Sequence, residues 1–353
     1  MSTRLTELLH IELPIVQAPM AGVQASALAS AVSNAGGLGS LPCALLGLDD
    51  IRREVAAIRA QTARPFNVNF FCHRQPTPDA ARERAWIAAL APYFRELGVE
   101  PPPGEVAPQR RSFDAATADL AEELRLPVVS FHFGLPAPDL VARVKQFGAT
   151  VLSSATTVEE ARWLEAHGVD AVIAQGVEAG GHRGMFLNDD LTTQAGTLAL
   201  VPQIVQAVRV PVIAAGGIAD AAGGAAALAL GASGIQVGTA YLLCPEATTS
   251  AVHRAALKDE AARHTALTNV FTGRPARSIV NRLMRELGPM SGVAPAFPLA
   301  AAAVGPLRAA AERQGRGDFS SLWCGQNASG CREVPAGELT RALVASARAA
   351  ARR

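Results

Sequence analysis

The sequence predicts an α/β fold: a (β/α)8 barrel of the TIM type with a C-terminal helical lobe over the barrel mouth. Three observations predict it. Eight short apolar runs end in Gly or a small residue, helix-like segments alternate with them, and the chain is longer than one barrel requires. It has 353 residues, whereas a barrel takes roughly 250. Strands that are apolar on both faces and alternate with helices imply a buried parallel sheet joined by right-handed crossovers, and eight such units favour closure.

In order, the candidate strands are Pro14–Met20, Gly37–Leu41, Phe66–Phe71, Val128–Phe133, Thr150–Ser154, Asp170–Gln175, Val210–Ala215 and Gly234–Gly238. The helix-like segments between them include Asp49–Ala60, Pro138–Phe147, Val158–His167 and Ala221–Leu230. Gln75–Pro127 is long for one crossover and carries Pro101–Gly104, which predicts a helix, a Pro-rich turn and a second helix. After the eighth strand, Pro245–Leu267, Ile279–Leu287 and Phe297–Arg313 read as helical, with Thr272–Pro275 as a turn. Glu338–Arg352 reads as an amphipathic helix returning to the barrel. The expected organisation is a barrel over residues 1–242, a substrate-side helical lobe over 243–320, and a C-terminal segment over 321–353.

Composition narrows the function. Apolar residues make up 49% and charged residues 18%, which excludes disorder as the main state. A net charge of +1 without charge runs argues against nucleic acid or an anionic membrane as partner and leaves a small molecule. Five cysteines at 43, 72, 244, 324 and 331 give no disulfide framework and no metal-ligand spacing, so free thiols in a reducing cytoplasm are expected. The N-terminus lacks a secretory h-region, and no apolar stretch is long enough for a membrane span. The sequence does not specify oligomeric state, a homo-oligomer included.

In a barrel the functional groups sit at the C-terminal ends of the strands, and polar and glycine residues collect there. The first strand ends in Ala18-Pro19-Met20-Ala21-Gly22, which permits a tight turn and close approach to a flat ligand, a structural turn being equally consistent. Asn67 and Asn69 share one face of the third strand and suit the donors and acceptors of a heterocycle, or a purely structural role. If Phe131 and Phe133 face the surrounding helices, His132 points into the mouth.

The sixth strand leads through Gln175 into Glu178-Ala179-Gly180-Gly181-His182-Arg183-Gly184, which sets a titratable group beside a fixed cation. The seventh and eighth strands end in Gly216-Gly217 and in Gln236-Val237-Gly238-Thr239, glycine turns at the recurrent phosphate site of such barrels. Ser291 is a candidate substrate contact from the lobe, while His253 and His264 are assigned to solvent or the lobe interface. The G-x-G-x-x-G, Walker A, H-E-x-x-H and G-x-S-x-G patterns are absent.

Together, QAPMAG at 17–22, SFHFG at 130–134, QGVEAGGHRG at 175–184, AAGGIAD at 214–220 and QVGT at 236–239 resemble class I nitronate monooxygenase, the former 2-nitropropane dioxygenase family. The resemblance implies non-covalent FMN, no metal, and oxidative denitrification of alkyl nitronates by O2 to a carbonyl compound and nitrite. Propionate 3-nitronate is the favoured substrate, with detoxification as the role. It makes His182 the catalytic base or nitronate anchor, with His132 in the same pocket. It assigns FMN to Asn69, Gln175, Gly180, Gly217 and Gln236–Thr239, with Ala18, Met20, Gly181 and Gly216 as further contacts and Gly217 and the Gln236–Thr239 turn at the phosphate. Arg183 would add positive potential for an anionic substrate. The alternatives are an FMN-dependent NAD(P)H:quinone reductase or enoyl-reductase on the same barrel, and a non-catalytic flavin- or phosphate-binding barrel.

Overall fold

The computed structural model describes residues 2–102 and 110–345. Eight parallel strands form the barrel: β1 (Ile15–Gln17), β2 (Gly39–Pro42), β3 (Phe66–Phe71), β4 (Val128–His132), β5 (Thr150–Ala155), β6 (Ala171–Gln175), β8 (Val212–Ala215) and β9 (Gly234–Val237). Their order around the sheet is β1-β9-β8-β6-β5-β4-β3-β2. A parallel bridge between Val16 and Leu38 joins the two ends, and closure leaves no open sheet edge.

The barrel has two apolar layers. Outward residues such as Val68, Phe70, Phe131 and Val151 pack under the helices. Inward residues such as Val16, Val128, Leu152 and Ile213 meet Leu5 and Leu9 of the short helix α1 (Arg4–Leu9), which plugs the N-terminal end. Nearer the mouth the interior turns polar. Asn67 Nδ2 donates to Ser40 Oγ and Ser130 Oγ at 3.0 and 2.9 Å, so Asn67 is a strut inside the barrel.

Local rules explain most of the helices. In the β3–β4 crossover, Asp79 caps α4 (Ala80–Leu97) by accepting from the N–H groups of Ala81 and Arg82. The helix ends at Gly98, whose φ of 61° is the left-handed conformation glycine tolerates. A second crossover helix, α5 (Ala115–Glu123), follows. Part of the Pro-rich turn expected at 101–104 lies outside the described residues. In the next unit, Pro138 opens α6 (Pro138–Gln146) at its first turn, where a missing N–H costs nothing.

The lobe differs from the expectation of helices alone. The segment 245–267 is a helix only at α10 (Ala251–Lys258) and then a short 3-10 turn. The strands β10 (Thr265–Thr268) and β11 (Ala276–Ile279) form an antiparallel ribbon. β11 also pairs with β7 (Gly181–His182), setting Ala276 opposite His182. The TGRP turn links the two ribbon strands, and its backbone groups are satisfied across strands, a non-local constraint that helical periodicity does not report.

Helix α11 begins at Arg282, after that ribbon, and runs to Leu287, while α12 spans Ala300–Arg313. Helix α4 packs on α12, so the lobe also draws on the β3–β4 crossover. Trp86, Leu90, Phe94, Val304, Leu307 and Phe319 share one core, each large side chain contributing about 1.5–3 kcal/mol relative to exposure. Glu96 adds contacts to Arg282 at 2.8 Å and Arg316 at 3.1 Å.

At the C-terminus, α13 (Ala336–Leu343) returns to pack on α2 (Ser26–Asn34) and α9 (Ala221–Ala229). The part of the expected helix beyond residue 345 lies outside the described residues. No helix among them is long and apolar enough to cross a membrane.

Candidate active site

The C-terminal ends of the strands surround a cavity of about 1380 Å³, open mouth included. Ala18 and Met20 bound it beside β1, Asn69 and His132 come from β3 and β4, and Gln175 ends β6. The loop after β6 supplies Gly180, Gly181 and His182. The turns after β8 and β9 supply Gly216, Gly217 and the run Gln236 to Thr239.

One end of this cavity suits an anion. Gly216 and Gly217 hold φ of 120° and 70°, conformations that favour glycine. No acceptor among the described residues takes the backbone N–H of Gly217 or Gly238. Gln236 Oε1 is buried with no hydrogen-bond partner, and an orphan of this kind calls for a ligand donor. Asn69 uses its amide N–H on Ser130, at 2.9 Å to Oγ, and no described residue donates to its Oδ1. At Gly180 an added Cβ would lie 2.6 Å from Gly325 N, so the loop passes directly against the C-terminal segment.

The other end is an aromatic cage around His182. Its ring centroid lies 5.2 Å from that of Phe297, 5.4 Å from Trp323, 6.0 Å from Phe133 and 6.2 Å from Phe71. His182 Nε2 is 2.9 Å from Thr272 Oγ1. Burial depresses the pKa of His182 well below the usual histidine range, and the cations Arg110 and Arg274 add to the effect, as do His132 and His73 once protonated. Every charged neighbour acting on this imidazole is cationic. The ring is therefore neutral at pH 7, inside a field that favours an anion.

The family model for nitronate monooxygenase matches residues 2–346. The chain belongs to the nitronate monooxygenase family. It is 47% identical to the nitronate monooxygenase of Pseudomonas aeruginosa over 347 residues, covering 98% of this chain and 99% of that one. It is also 47% identical to the Paraburkholderia phytofirmans enzyme of the same name, over 96% and 93% of the two chains. Among solved structures, nitroalkane oxidase from Streptomyces ansochromogenes superposes with a TM-score of 0.88 at 42% identity, covering 99% of this chain and 100% of that one. FabK from Thermotoga maritima does so at 0.73 and 28%, covering 100% and 98%. Nitronate monooxygenases are flavin-dependent oxidoreductases acting on small molecules. Among the described residues no group of three His, Cys, Asp or Glu is placed to hold a metal ion.

Within this nitronate monooxygenase fold, several residues hold posts that differ from the sequence expectation. Gln175 braces the His182 loop: its Oε1 accepts from Gly184 N at 2.8 Å and its Nε2 donates to His182 O at 3.0 Å. His132 reaches the mouth with both ring nitrogens engaged, Nε2 at 3.2 Å from His182 O and Nδ1 at 2.5 Å from Ser154 Oγ. Because a carbonyl only accepts, Nε2 carries the proton. His132 is a neutral prop for the His182 backbone, its pKa pushed down to about 3 chiefly by burial.

Arg183 is fully buried and points away from the cavity. It donates to the carbonyls of Gln175 and Gly176 at 2.7 Å and to Gln194 Oε1 at 2.9 Å. It pins the end of β6 and offers no hydrogen bond to a substrate. Phe133 does not face the helices. With φ of 70° it turns its ring over the mouth, against Phe71 and Phe297. Ser291 does not line the cavity either: its backbone N–H and carbonyl both pair with the Asn269 side chain at 2.9 Å.

Other lining residues had no strong sequence signal. His253, assigned to solvent or the lobe interface, is buried, lines the cavity and pairs with Trp323 O at 3.1 Å. Arg110, Trp323, Gly325 and Asn327 also line it, and Asn327 Nδ2 donates to Gly217 O at 3.2 Å. His264 is exposed, as expected. A run of Trp-Cys-Gly-Gln-Asn, with polar and glycine residues amid an Ala-rich tail, was the available clue to the C-terminal contribution.

Proposed function

We propose that this chain is an FMN-dependent nitronate monooxygenase that oxidises alkyl nitronates with O2 to a carbonyl compound and nitrite, with His182 as the group that meets the substrate. The observation that carries the reading is the neutral His182 imidazole in an aromatic cage whose charged neighbours are all cationic. FMN fits the rest of the cavity. The phosphate belongs at Gly217 and Gly238, whose N–H groups lack acceptors. The ring system belongs beside the unpaired Gln236 Oε1 and Asn69 Oδ1, with Ala18, Met20, Gly180, Gly181, Gly216, Val237 and Thr239 around it. When bound, FMN supplies the electron-accepting chemistry that these side chains lack.

His182 then acts in one of two ways. Toward a neutral nitroalkane, the unprotonated imidazole takes the proton from the carbon bearing the nitro group. Toward a preformed nitronate, it holds the anion in place. Thr272 and the Gln175–His132 brace orient the ring, and Phe71, Phe133, Phe297 and Trp323 exclude water around it.

The whole-chain likeness to FabK keeps a flavin reductase as the rival reading. The deciding experiment mixes FMN-loaded protein anaerobically with NADH or with an alkyl nitronate. Bleaching of the flavin by the nitronate, and nitrite on admitting air, is the expected result; bleaching by NADH alone overturns the reading. His182→Asn should keep flavin and lose turnover of neutral nitroalkanes, and unchanged turnover removes His182 from the mechanism.

A further inference from the structure

Arg274 stands in the turn between β10 and β11, close in sequence to Thr272, whose hydroxyl meets His182 Nε2 at 2.9 Å. It does not line the cavity, yet its guanidinium joins two parts of the mouth. Nη2 donates to the carbonyl of Met185, on the return limb of the His182 loop. Cζ lies 4.2 Å from the centroid of the Phe133 ring, inside the roughly 6 Å reach of a cation–π contact. Nε is buried and has no acceptor among the described residues. An unpaired buried N–H costs free energy, so stacking on the ring, and not hydrogen bonding alone, sets where this group lies.

Phe133 is the member of the aromatic cage that needs holding. Its φ of 70° is an unfavourable conformation for a bulky side chain, and Gly134 beside it holds 87°. Strained backbone of this kind persists only where its surroundings over-determine it. Two contacts do so here. Phe186, on the same return limb as Met185, packs against Gly134, where an added Cβ would lie 3.1 Å from Phe186 Cδ2. Arg274 covers the Phe133 ring itself. That ring lies 6.0 Å from the His182 centroid and 4.4 Å from that of His132, the prop of the His182 carbonyl.

We propose that Arg274 is a positioning residue for the reaction at His182: its guanidinium clamps the Phe133 ring and the Met185 carbonyl as one unit and so fixes the surroundings of the imidazole. This rests on the reading of His182 as the group that meets the substrate, and goes beyond it by naming what holds the cage around it. A planar guanidinium lies flat on a phenyl ring and donates from its edge at the same time, whereas an ammonium is a point charge without a face to stack.

The test compares FMN-loaded wild type, Arg274→Met, Arg274→Lys, Phe133→Leu and the double variant Arg274→Met with Phe133→Leu on one alkyl nitronate. Arg274→Met keeps the apolar stem and removes the charge and the donors. Its kcat should fall about ten-fold while KM stays within a few-fold of wild type, the mark of lost orientation without lost binding. Arg274→Lys should recover part of the loss. Phe133→Leu should reproduce much of it, and adding Arg274→Met to Phe133→Leu should cost clearly less than Arg274→Met alone, because the clamp then has no ring to hold. Unchanged kcat in Arg274→Met, or an equal loss with and without Phe133, overturns the clamp.

A structural readout separates this outcome from failure of the functional reading. In a crystal structure of Arg274→Met, or of Arg274→Lys if the first does not fold, the Phe133 ring should leave the mouth while the pairing of β10 with β11 stays intact. A Phe133 ring that keeps its place without the guanidinium overturns the clamp whether or not nitrite is formed. A displaced ring supports it, and absence of nitrite from the wild type then overturns only the assignment of the reaction.

Discussion

Replacing Gln175 with Met separates two roles that one residue at a strand end could play. Gln175 closes the loop from Gly176 to Gly184 through a 2.8 Å bond from Gly184 N and a 3.0 Å bond to His182 O. The His182 carbonyl keeps its second partner, His132 Nε2, whereas Gly184 N–H has no other acceptor among the described residues. Losing the bond to His182 O at about 1 kcal/mol net, and leaving the buried Gly184 N–H unsatisfied at about 1–3 kcal/mol, predicts destabilisation by roughly 2–4 kcal/mol. The larger effect is on geometry. A shift of the His182 backbone by about 1 Å costs about 100-fold in rate. Stability is read from the urea midpoint, turnover from nitrite release, and FMN affinity from equilibrium dialysis. The expectation is a lowered midpoint, kcat/KM reduced about 100-fold, and FMN affinity within a few-fold of wild type. If FMN affinity collapses while the remaining holoenzyme turns over normally, Gln175 is a flavin ligand and the brace argument is wrong.

Three further predictions follow from the same geometry. Thr272→Val removes the hydroxyl 2.9 Å from His182 Nε2 and should lower kcat/KM for neutral nitroalkanes about ten-fold, the worth of roughly one such bond; Thr272→Ser should restore it, and a Ser variant as poor as Val would make the effect one of packing. Gly180→Ala places a Cβ 2.6 Å from Gly325 N, so the purified protein should carry little flavin, as its visible-to-ultraviolet absorbance ratio reports. Burial lowers His132 to about 3 and His73 and His253 to about 4. As pH falls below the ordinary value near 6.5, the unfolded chain takes these protons first, so stability is full above that pH and declines toward pH 4. Unfolding free energies from urea titrations at pH 7 and pH 5 should differ by up to about 2 kcal/mol per histidine, and a free energy that does not fall refutes the neutral assignment.

The barrel was legible because each strand is a local object. An apolar run with glycine or a small residue at its end needs no partner to be recognised, and all eight strands lie within a few residues of their expected bounds. The site was legible where chemistry sits in one contiguous run, as with Gly180-Gly181-His182 and the turns after β8 and β9. It was illegible where function depends on direction. Nothing local shows that Arg183 turns into the protein while Arg110 turns into the cavity, or that the Phe133 backbone crosses to positive φ. The ribbon of β10 and β11 was read partly as helix because its pairing partner, β7, lies far away in sequence. His253 was missed for the same reason: its burial is created by Trp323, seventy residues on.

The contact of Gly180 and Gly217 with Gly325 and Asn327 has a consequence for biosynthesis. Ribosomes add roughly 5–20 residues per second, and residues 323–327 leave the ribosome after every barrel strand has been made. The wall that they add to the glycine-turn end of the cavity is therefore missing throughout the growth of the nascent barrel. A nonsense codon between the last barrel strand and Trp323 would yield a chain with every barrel strand but without that wall, and weaker flavin retention by such a product is the expected outcome.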